Sequence, residues 1–306
     1  MSGLLELLGL GLVLAWLLGV AVTSWLITHP PRRTYASAVS RDRPGDPGEI
    51  PGFRGSYETW YFRSRGRDLP VWDIPGRHPD GPTLIMTHGW SDGKVGALVR
   101  IPDVLDYCSR IIAWDMPGHG EAPGRCDLGV GEVEDLVTLI REIGDAEDVV
   151  LFGWSLGGGV SIAAGAELGE KVRCVIAEAP YRLAITPARN VMQTSAMPWR
   201  PTLWPAMWVL ALLGRRPLNW AGHWERFDRA KLAARLRCPL LVIHGEDDPI
   251  CPTEDGRQIA SASPQGTFVM IPHGTHNGLW TDESVRESTI QAVTSFLSAC
   301  SGRDRP

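Results

Sequence analysis

A serine flanked by glycines stands in Gly153-Trp154-Ser155-Leu156-Gly157. It follows the apolar run Val149 to Phe152 and precedes Val160-Ser161-Ile162-Ala163-Ala164, which reads as a helix. A serine at such a strand-to-helix turn sits on a strained backbone with its hydroxyl exposed. A Cβ at 153 or 157 would clash with that turn, which accounts for the two glycines. The chemistry this suits is nucleophilic attack on an acyl carbonyl. The first turn of the helix leaves N–H groups unpaired beside the hydroxyl, so the Leu156 N–H can receive the developing oxyanion. A second donor is expected from Thr87-His88-Gly89-Trp90-Ser91, where Gly89 lets the backbone approach a ligand and the Trp90 N–H faces it. His88, directly before that turn, is expected to support the loop.

A serine nucleophile needs a base, and the base needs a carboxylate to fix its tautomer. Two later stretches supply candidates. Leu240 to Ile243 runs into His244-Gly245-Glu246-Asp247-Asp248-Pro249, and Phe268 to Ile271 runs into Pro272-His273-Gly274-Thr275-His276-Asn277. Three adjacent carboxylates and two close histidines therefore compete for two places.

The elements that must position these groups are short apolar runs at 83–86, 110–114, 149–152, 174–177, 240–243 and 267–271. The runs are continuous rather than alternating, as in strands covered on both faces. Between them lie helical patterns, one marked by Val130, Val133, Leu136, Val137 and Ile140, another by Val285, Ile290, Val293 and Leu297. Such alternation predicts an α/β fold with a doubly wound, mainly parallel sheet. Residues 57–63 and 69–74 are predicted to form an antiparallel hairpin at its start. Both catalytic loops then leave the C-terminal ends of strands, where open α/β sheets carry their sites. Residues 181–231 interrupt the rhythm with five of the 13 tryptophans, and are expected to form a helical lid. Trp204 and Trp208 in it are expected to meet long acyl chains.

Several of these features occur together in one family. His88-Gly89, Asp115-Met116-Pro117-Gly118-His119-Gly120, Gly153-Trp154-Ser155-Leu156-Gly157-Gly158, Gly245-Glu246-Asp247-Asp248 and His276-Asn277 make residues 56–300 resemble the α/β-hydrolase superfamily, closest to its serine aminopeptidase/monoacylglycerol lipase-like branch. The resemblance implies Ser155 as nucleophile, Asp248 as acid and His276 as base, with His119 shaping a loop. Pro249 would hold the backbone after Asp248, and Gly274 would let His276 fold back over Ser155. No cofactor and no metal is expected, because such a triad carries the chemistry itself.

Residues Leu7–Ile27 carry no charge, and as a helix would span about 31 Å, close to a bilayer's hydrocarbon thickness. Trp25 suits an interface, and Arg32, Arg33, Arg41 and Arg43 follow the span. Residues 1–31 are therefore expected to form a single-pass membrane anchor, and 32–55, rich in Pro, Gly and charge, a linker. The positive-inside rule would put the hydrolase domain in the cytoplasm. Ala36-Ser37-Ala38 resembles a signal-peptide cleavage site, but the apolar run is long for a signal and no Lys or Arg precedes it. Ala15, Gly19 and Thr23 share one face in a small-xxx-small pattern suited to helix pairing.

With 44% hydrophobic residues the chain can bury a large core, and a net charge of -5 argues against nucleic acid as a partner. The six cysteines have neither C-x-x-C nor zinc-like spacing, and no structural disulfide is expected. The leading expectation is a membrane-anchored hydrolase of carboxylic esters with apolar or lipid-like acyl groups, acting through an acyl-enzyme. A peptidase or amidase with the same triad, and a non-catalytic binding protein on the same scaffold, are the alternatives.

Overall fold

In the computed structural model, residues 2–51, 53, 55–144, 148–213 and 228–301 are described. Eight strands form one sheet: β1 (Glu58–Ser64), β2 (Arg67–Pro75), β3 (Thr83–Thr87), β4 (Arg110–Trp114), β5 (Val149–Trp154), β6 (Val172–Glu178), β7 (Leu240–Gly245) and β8 (Gly266–Ile271). Their order is β1-β2-β4-β3-β5-β6-β7-β8. The hairpin β1–β2 is antiparallel, as its sequence predicted, and β2 also runs antiparallel to β4. From β4 across to β8 every pairing is parallel.

Alternate side chains of each central strand enter opposite cores. Leu151, Leu240 and Val242 join one cluster, and Val150, Phe152, Leu241 and Ile243 join the other. Both faces being covered explains why these strands read as unbroken apolar runs. The run at 267–271 departs from that expectation. Strand β8 pairs only with β7 and lies at the sheet edge, so most of it is exposed or half-buried. Its Phe268 and Val269 are only partly covered, and Met270 is exposed.

Ten helices accompany the sheet among the described residues: α1 (Ser2–Thr28), α2 (Tyr35–Val39), α3 (Ile101–Val104), α4 (Gly131–Glu142), α5 (Leu156–Leu168), α6 (Ile185–Thr194), α7 (Trp199–Leu213), α8 (Arg229–Ala233), α9 (Thr253–Ala262) and α10 (Glu283–Ser301). The chain crosses from β3 to β4 on one side and to β5 on the other. The strand order thus reverses at β3, and the crevice beyond its C-terminal end is where such sheets bind ligands.

Helix α1 is long and apolar enough to cross a membrane. Its residues 2–18 are exposed, whereas Val20, Thr23, Ser24, Ile27 and Thr28 are buried. The two hydroxyls of Ser24 and Thr28 bond back to the carbonyls of Val20 and Ser24, at 2.8 and 2.9 Å. Polar side chains are tolerated in an apolar helix when satisfied in this way. The small residues serve a pairing within the chain. Gly19 lies against α7, where an added Cβ would come 3.1 Å from the Thr202 methyl, and the Trp16 indole donates to the Pro201 carbonyl at 2.8 Å. Ile27, Met192 and Leu203 close a small core of α1, α6 and α7.

Residues 32–55, expected as a linker, carry local structure over much of their length. Thr34 and Ser37 cap α2 reciprocally. The Glu49 carboxylate then accepts from the Tyr35 hydroxyl and the Gly45 N–H. Ile50 is buried in the second core. In the excursion at 181–231, α6 and α7 are helical, while Trp220 and Trp224 lie outside the described residues.

Candidate active site

Strand β5 ends at Trp154 and α5 begins at Leu156, leaving Ser155 alone to turn the chain. Its φ of 53° and ψ of −114° are unusual for a residue with a Cβ. Such strain persists only where the surroundings impose it. Here the Ser155 N–H donates to the Glu178 carbonyl at 2.8 Å. A Cβ on Gly153 would run into the Gly157 carbonyl, and one on Gly157 into the carbonyls of Thr87 and His88. The strand end, the helix start and the loop after β3 are thus packed backbone to backbone around the serine.

Asp248 and His276 come together from the loops after β7 and β8, with His276 Nδ1 2.7 Å from Asp248 Oδ2. Since a carboxylate only accepts, Nδ1 carries the proton and Nε2 keeps its lone pair. The other Asp248 oxygen accepts from the N–H groups of Ile250 and Cys251, both at 2.8 Å. Burial penalises the charge on Asp248, but hydrogen bonds from His244 and His276 outweigh it and hold the carboxyl well below its ordinary range. His244 is fully buried, with Nε2 2.9 Å from the Cys251 carbonyl and 3.3 Å from Asp248 Oδ2. Both neighbours only accept, so Nε2 is its protonated nitrogen. Asp247 and His273 form a separate, solvent-exposed contact at 3.7 Å. Of the three carboxylates and two histidines left open by spacing, the fold pairs Asp248 with His276.

Gly89 approaches Ser155 closely, and a Cβ there would lie 3.3 Å from Ser155 Cβ. Trp90 and Leu156 line the same cavity as Ser155 and His276. His88 supports the loop as expected: Nδ1 donates to the Gly89 carbonyl at 2.8 Å, and Nε2 accepts the Met116 N–H at 2.9 Å. Burial pushes its pKa down. His119 is likewise buried and neutral, bonded to the Pro117 carbonyl at 3.1 Å.

Three neighbours of the site escaped the sequence reading. Glu178, at the end of β6, is buried and paired with Arg100 at 2.6 Å, and it also accepts from the Trp280 indole at 2.7 Å. Arg100 in turn lies 4.0 Å over the Trp154 ring. The signal was present, since a glutamate closing an apolar run demands a buried cation. Cys251 lies against Asp248 and His276, with the ligand atoms of all three within 4.8 Å of one another. Burial, reinforced by the Asp248 charge, raises its thiol pKa far above the ordinary value. Asp248 is already committed to four donors, so this trio suits hydrogen bonding better than a metal ion. All six cysteines are free and buried.

The third unforeseen neighbour is the N-terminal segment. The Trp90 indole donates to the Ile27 carbonyl at 2.9 Å, and the Cys126 N–H to the Thr28 carbonyl at 2.9 Å. Ser91 Oγ bonds the Pro31 carbonyl at 3.2 Å, and Arg32 bonds the Ala122 carbonyl at 2.9 Å. The end of α1 is thereby fixed to the loop carrying Trp90. A cavity of about 720 Å³ opens over Ser155, and Thr23, Leu26 and Ile27 of α1 form part of its wall. Leu128, Val191, Met192, Met197 and Ile250 continue the apolar lining. Trp204 and Trp208 do not contribute to it. They lie on the outer side of α7, 46% and 39% exposed, because α7 turns its buried face to α1 and α6.

The model of the alpha/beta hydrolase family matches residues 84–288, more than half of the chain. Among curated proteins, a pimeloyl-[acyl-carrier protein] methyl ester esterase from Nitrosomonas europaea is 23% identical over 230 residues, covering 64% of this chain and 89% of that protein. Among solved structures, the esterase Pf2001 of Pyrococcus furiosus superposes with a TM-score of 0.67 at 18% identity, over 89% of this chain and 100% of that one. A membrane phospholipase A described as a bacterial virulence factor superposes with a TM-score of 0.61 at 18% identity, over 99% of this chain and 100% of that one. The chain belongs to the alpha/beta hydrolase family and is an enzyme of its serine-hydrolase class.

Proposed function

We propose that this chain is a membrane-anchored hydrolase of carboxylic esters with apolar acyl groups, working through Ser155, His276 and Asp248. The observation that carries the reading is the arrangement around the cavity. A strained serine opens onto it, a histidine oriented by a buried carboxylate lines it, and an apolar helix long enough to cross a bilayer forms part of its wall.

His276 Nε2 takes the Ser155 proton as Oγ attacks the ester carbonyl. The N–H groups of Trp90 and Leu156 receive the oxyanion. As the C–O bond breaks, His276 returns the proton to the leaving alcohol, leaving an acyl-serine. Water, deprotonated by the same nitrogen, attacks that ester, and collapse of the second oxyanion releases the acid and restores Ser155. Asp248 stays ionised throughout and stabilises the imidazolium. No cofactor enters the cycle.

The membrane reading rests on α1 and on Arg32, Arg33, Arg41 and Arg43 after it, which would keep the catalytic domain in the cytoplasm. Cleavage near Ala38 would strip Thr23, Leu26 and Ile27 from the cavity wall, which favours an uncleaved anchor. Helices α6 and α7 would act as the lid. The substrate would be a small acyl ester or lipid, and no nucleic acid is expected.

A fluorophosphonate probe tests the core of this reading. Labelling of the wild type and its loss in Ser155→Ala is the expected outcome, and labelling retained by the variant overturns the assignment. Matched ester and amide substrates then separate esterase from amidase, with faster amide cleavage overturning the ester preference. A C-terminal reporter checks orientation, and an extracytoplasmic signal would reverse it.

A further inference from the structure

The ester-hydrolase reading leaves one feature of the cavity unused. Its charged lining is lopsided: Arg33, Arg41, Arg43 and Arg100 face it, against the single carboxylate of Asp92. Two of the four arginines are committed. Arg33 lies 3.5 Å from Asp92, and Arg100 is bound to Glu178 through both Nε and Nη2, at 3.0 and 2.6 Å. Arg41 makes one bond, from Nη1 to the Ser37 carbonyl at 2.6 Å, and its remaining donors stay available. Neither Arg41 nor Arg43 forms an ion pair among the described residues. Two exposed guanidinium groups therefore line the same cavity as the apolar Leu26, Ile27, Val191, Met192 and Met197.

A lining that combines cations with apolar side chains suits an amphiphile. A guanidinium presents a planar fork of donors that suits the oxygens of a phosphate or carboxylate. An excess of cations around a low-dielectric cavity raises the local concentration of anions. A cavity of about 720 Å³ is the size of a site for one small ligand. The segment holding the two arginines is not a passing surface loop. It is tied down at α2 by the Thr34–Ser37 cap, and further on by the Glu49 carboxylate bound to Tyr35 and Gly45.

We propose, resting on the ester-hydrolase reading above, that residues 23–43 form the substrate subsite for a single-chain acyl ester with an anionic head group: the end of α1 holds the acyl chain, and Arg41 and Arg43 hold the phosphate or carboxylate. The N-terminal segment is then a specificity element of the enzyme. Substrate supply falls to a reaction that leaves one acyl chain on an anionic polar group, such as removal of the other chain from a two-chain anionic lipid.

The test compares 1-oleoylglycerol 3-phosphate with neutral 1-oleoylglycerol in neutral detergent micelles, using the full-length chain. A second pair, butyryl glycerol 3-phosphate and glyceryl monobutyrate, separates a lipid head group from a freely soluble phosphate ester. Wild type is expected to prefer the anionic member, in both pairs if any phosphate ester is accepted and in the oleoyl pair alone if the lipid is required. In R41Q/R43Q the ratio of kcat/KM, anionic over neutral, is expected to fall at least about tenfold, mainly through KM, the worth of one charge-assisted hydrogen bond. R41K/R43K should recover part of that ratio. An unchanged ratio in R41Q/R43Q overturns the subsite. So does an unchanged ratio accompanied by weaker binding to anionic vesicles, which would assign the arginines to the membrane surface. Failure of the wild type to cleave any of the four esters, with Ser155 still labelled by the fluorophosphonate, would instead sink the ester reading itself.

Discussion

Two regions of this molecule reach the same cavity by opposite means. The loops after β7 and β8 bring Asp248 and His276 together, and both Asp248 oxygens are held by short bonds, from two backbone N–H groups and from His276. The N-terminal segment contributes mainly apolar walls and backbone carbonyls, which accept from the Trp90 indole, the Cys126 N–H and the Ser91 hydroxyl. The first region follows β7, whose side chains enter both cores, and the edge strand β8 paired in register with it. The second is held by a small apolar core with α6 and α7 and by hydrogen bonds to the loop carrying Trp90. Chemistry demands sub-ångström order and sits on the rigid frame, whereas substrate shape can be set by a segment docked afterwards.

Removing the groups proposed to react should give the largest effects and mark the first region. Ser155→Ala and His276→Ala are expected to lower kcat by a factor on the order of 10⁴ to 10⁶, and Asp248→Asn by about 10⁴, because the amide favours the wrong tautomer. Steady-state kinetics with a soluble ester checks this, and severe loss in Asp247→Asn instead would move the acid by one residue.

Smaller changes probe the seam between the regions. Trp90→Phe keeps an aromatic side chain, though a smaller one, and removes the indole donor, leaving the Ile27 carbonyl without that partner. A lost hydrogen bond of this kind is worth roughly 1 to 3 kcal/mol. The expected result is a fall in kcat/KM of about tenfold, with α1 more open to proteolysis. Unchanged kinetics would mean that the two regions do not communicate through this bond.

The seam should also respond to pH. Cys126, whose N–H donates to the Thr28 carbonyl, leads a loop held by Glu132, whose carboxylate accepts from the N–H groups of Asp127 and Gly129. Burial, with help from the Asp127 charge, pushes Glu132 up to about 7 from an ordinary value of 4.5. Below pH 4.5 the group is protonated folded and unfolded. Between 4.5 and about 7 only the unfolded chain ionises, so this stabilising contribution is lost as pH rises through that window. The loss is on the order of 3 kcal/mol. Wild-type stability relative to Glu132→Gln should decline from pH 4.5 to 7 and then level off, as read by denaturant titration. Parallel pH profiles would remove Glu132 from this account.

The smallest effects belong to residues that resemble the first region in sequence but not in space. Asp247→Asn and His273→Ala alter an exposed 3.7 Å contact, and activity should stay within about twofold of wild type, since exposed ion pairs contribute little.

The sequence by itself determined the strand runs, the serine turn and the α/β order, because these depend on local periodicity and on glycines that no other residue could replace at 153 and 157. It also narrowed the acid and base to two short loops. Choosing Asp248 over Asp247 leaned on a family pattern, and the tertiary structure supplies its reason: Asp248 is where two backbone N–H groups and two imidazoles converge. The edge position of β8 was not legible, since a strand's neighbours are set by topology rather than by its own residues. Nor was the role of residues 20–43. An apolar run reads the same whether lipid or protein covers it, and a Pro- and Gly-rich stretch reads as a tether until its partners are placed beside it. Only folding brought Ile27 to Trp90, 63 positions away, and so turned the end of an apolar helix into a wall of the cavity over Ser155.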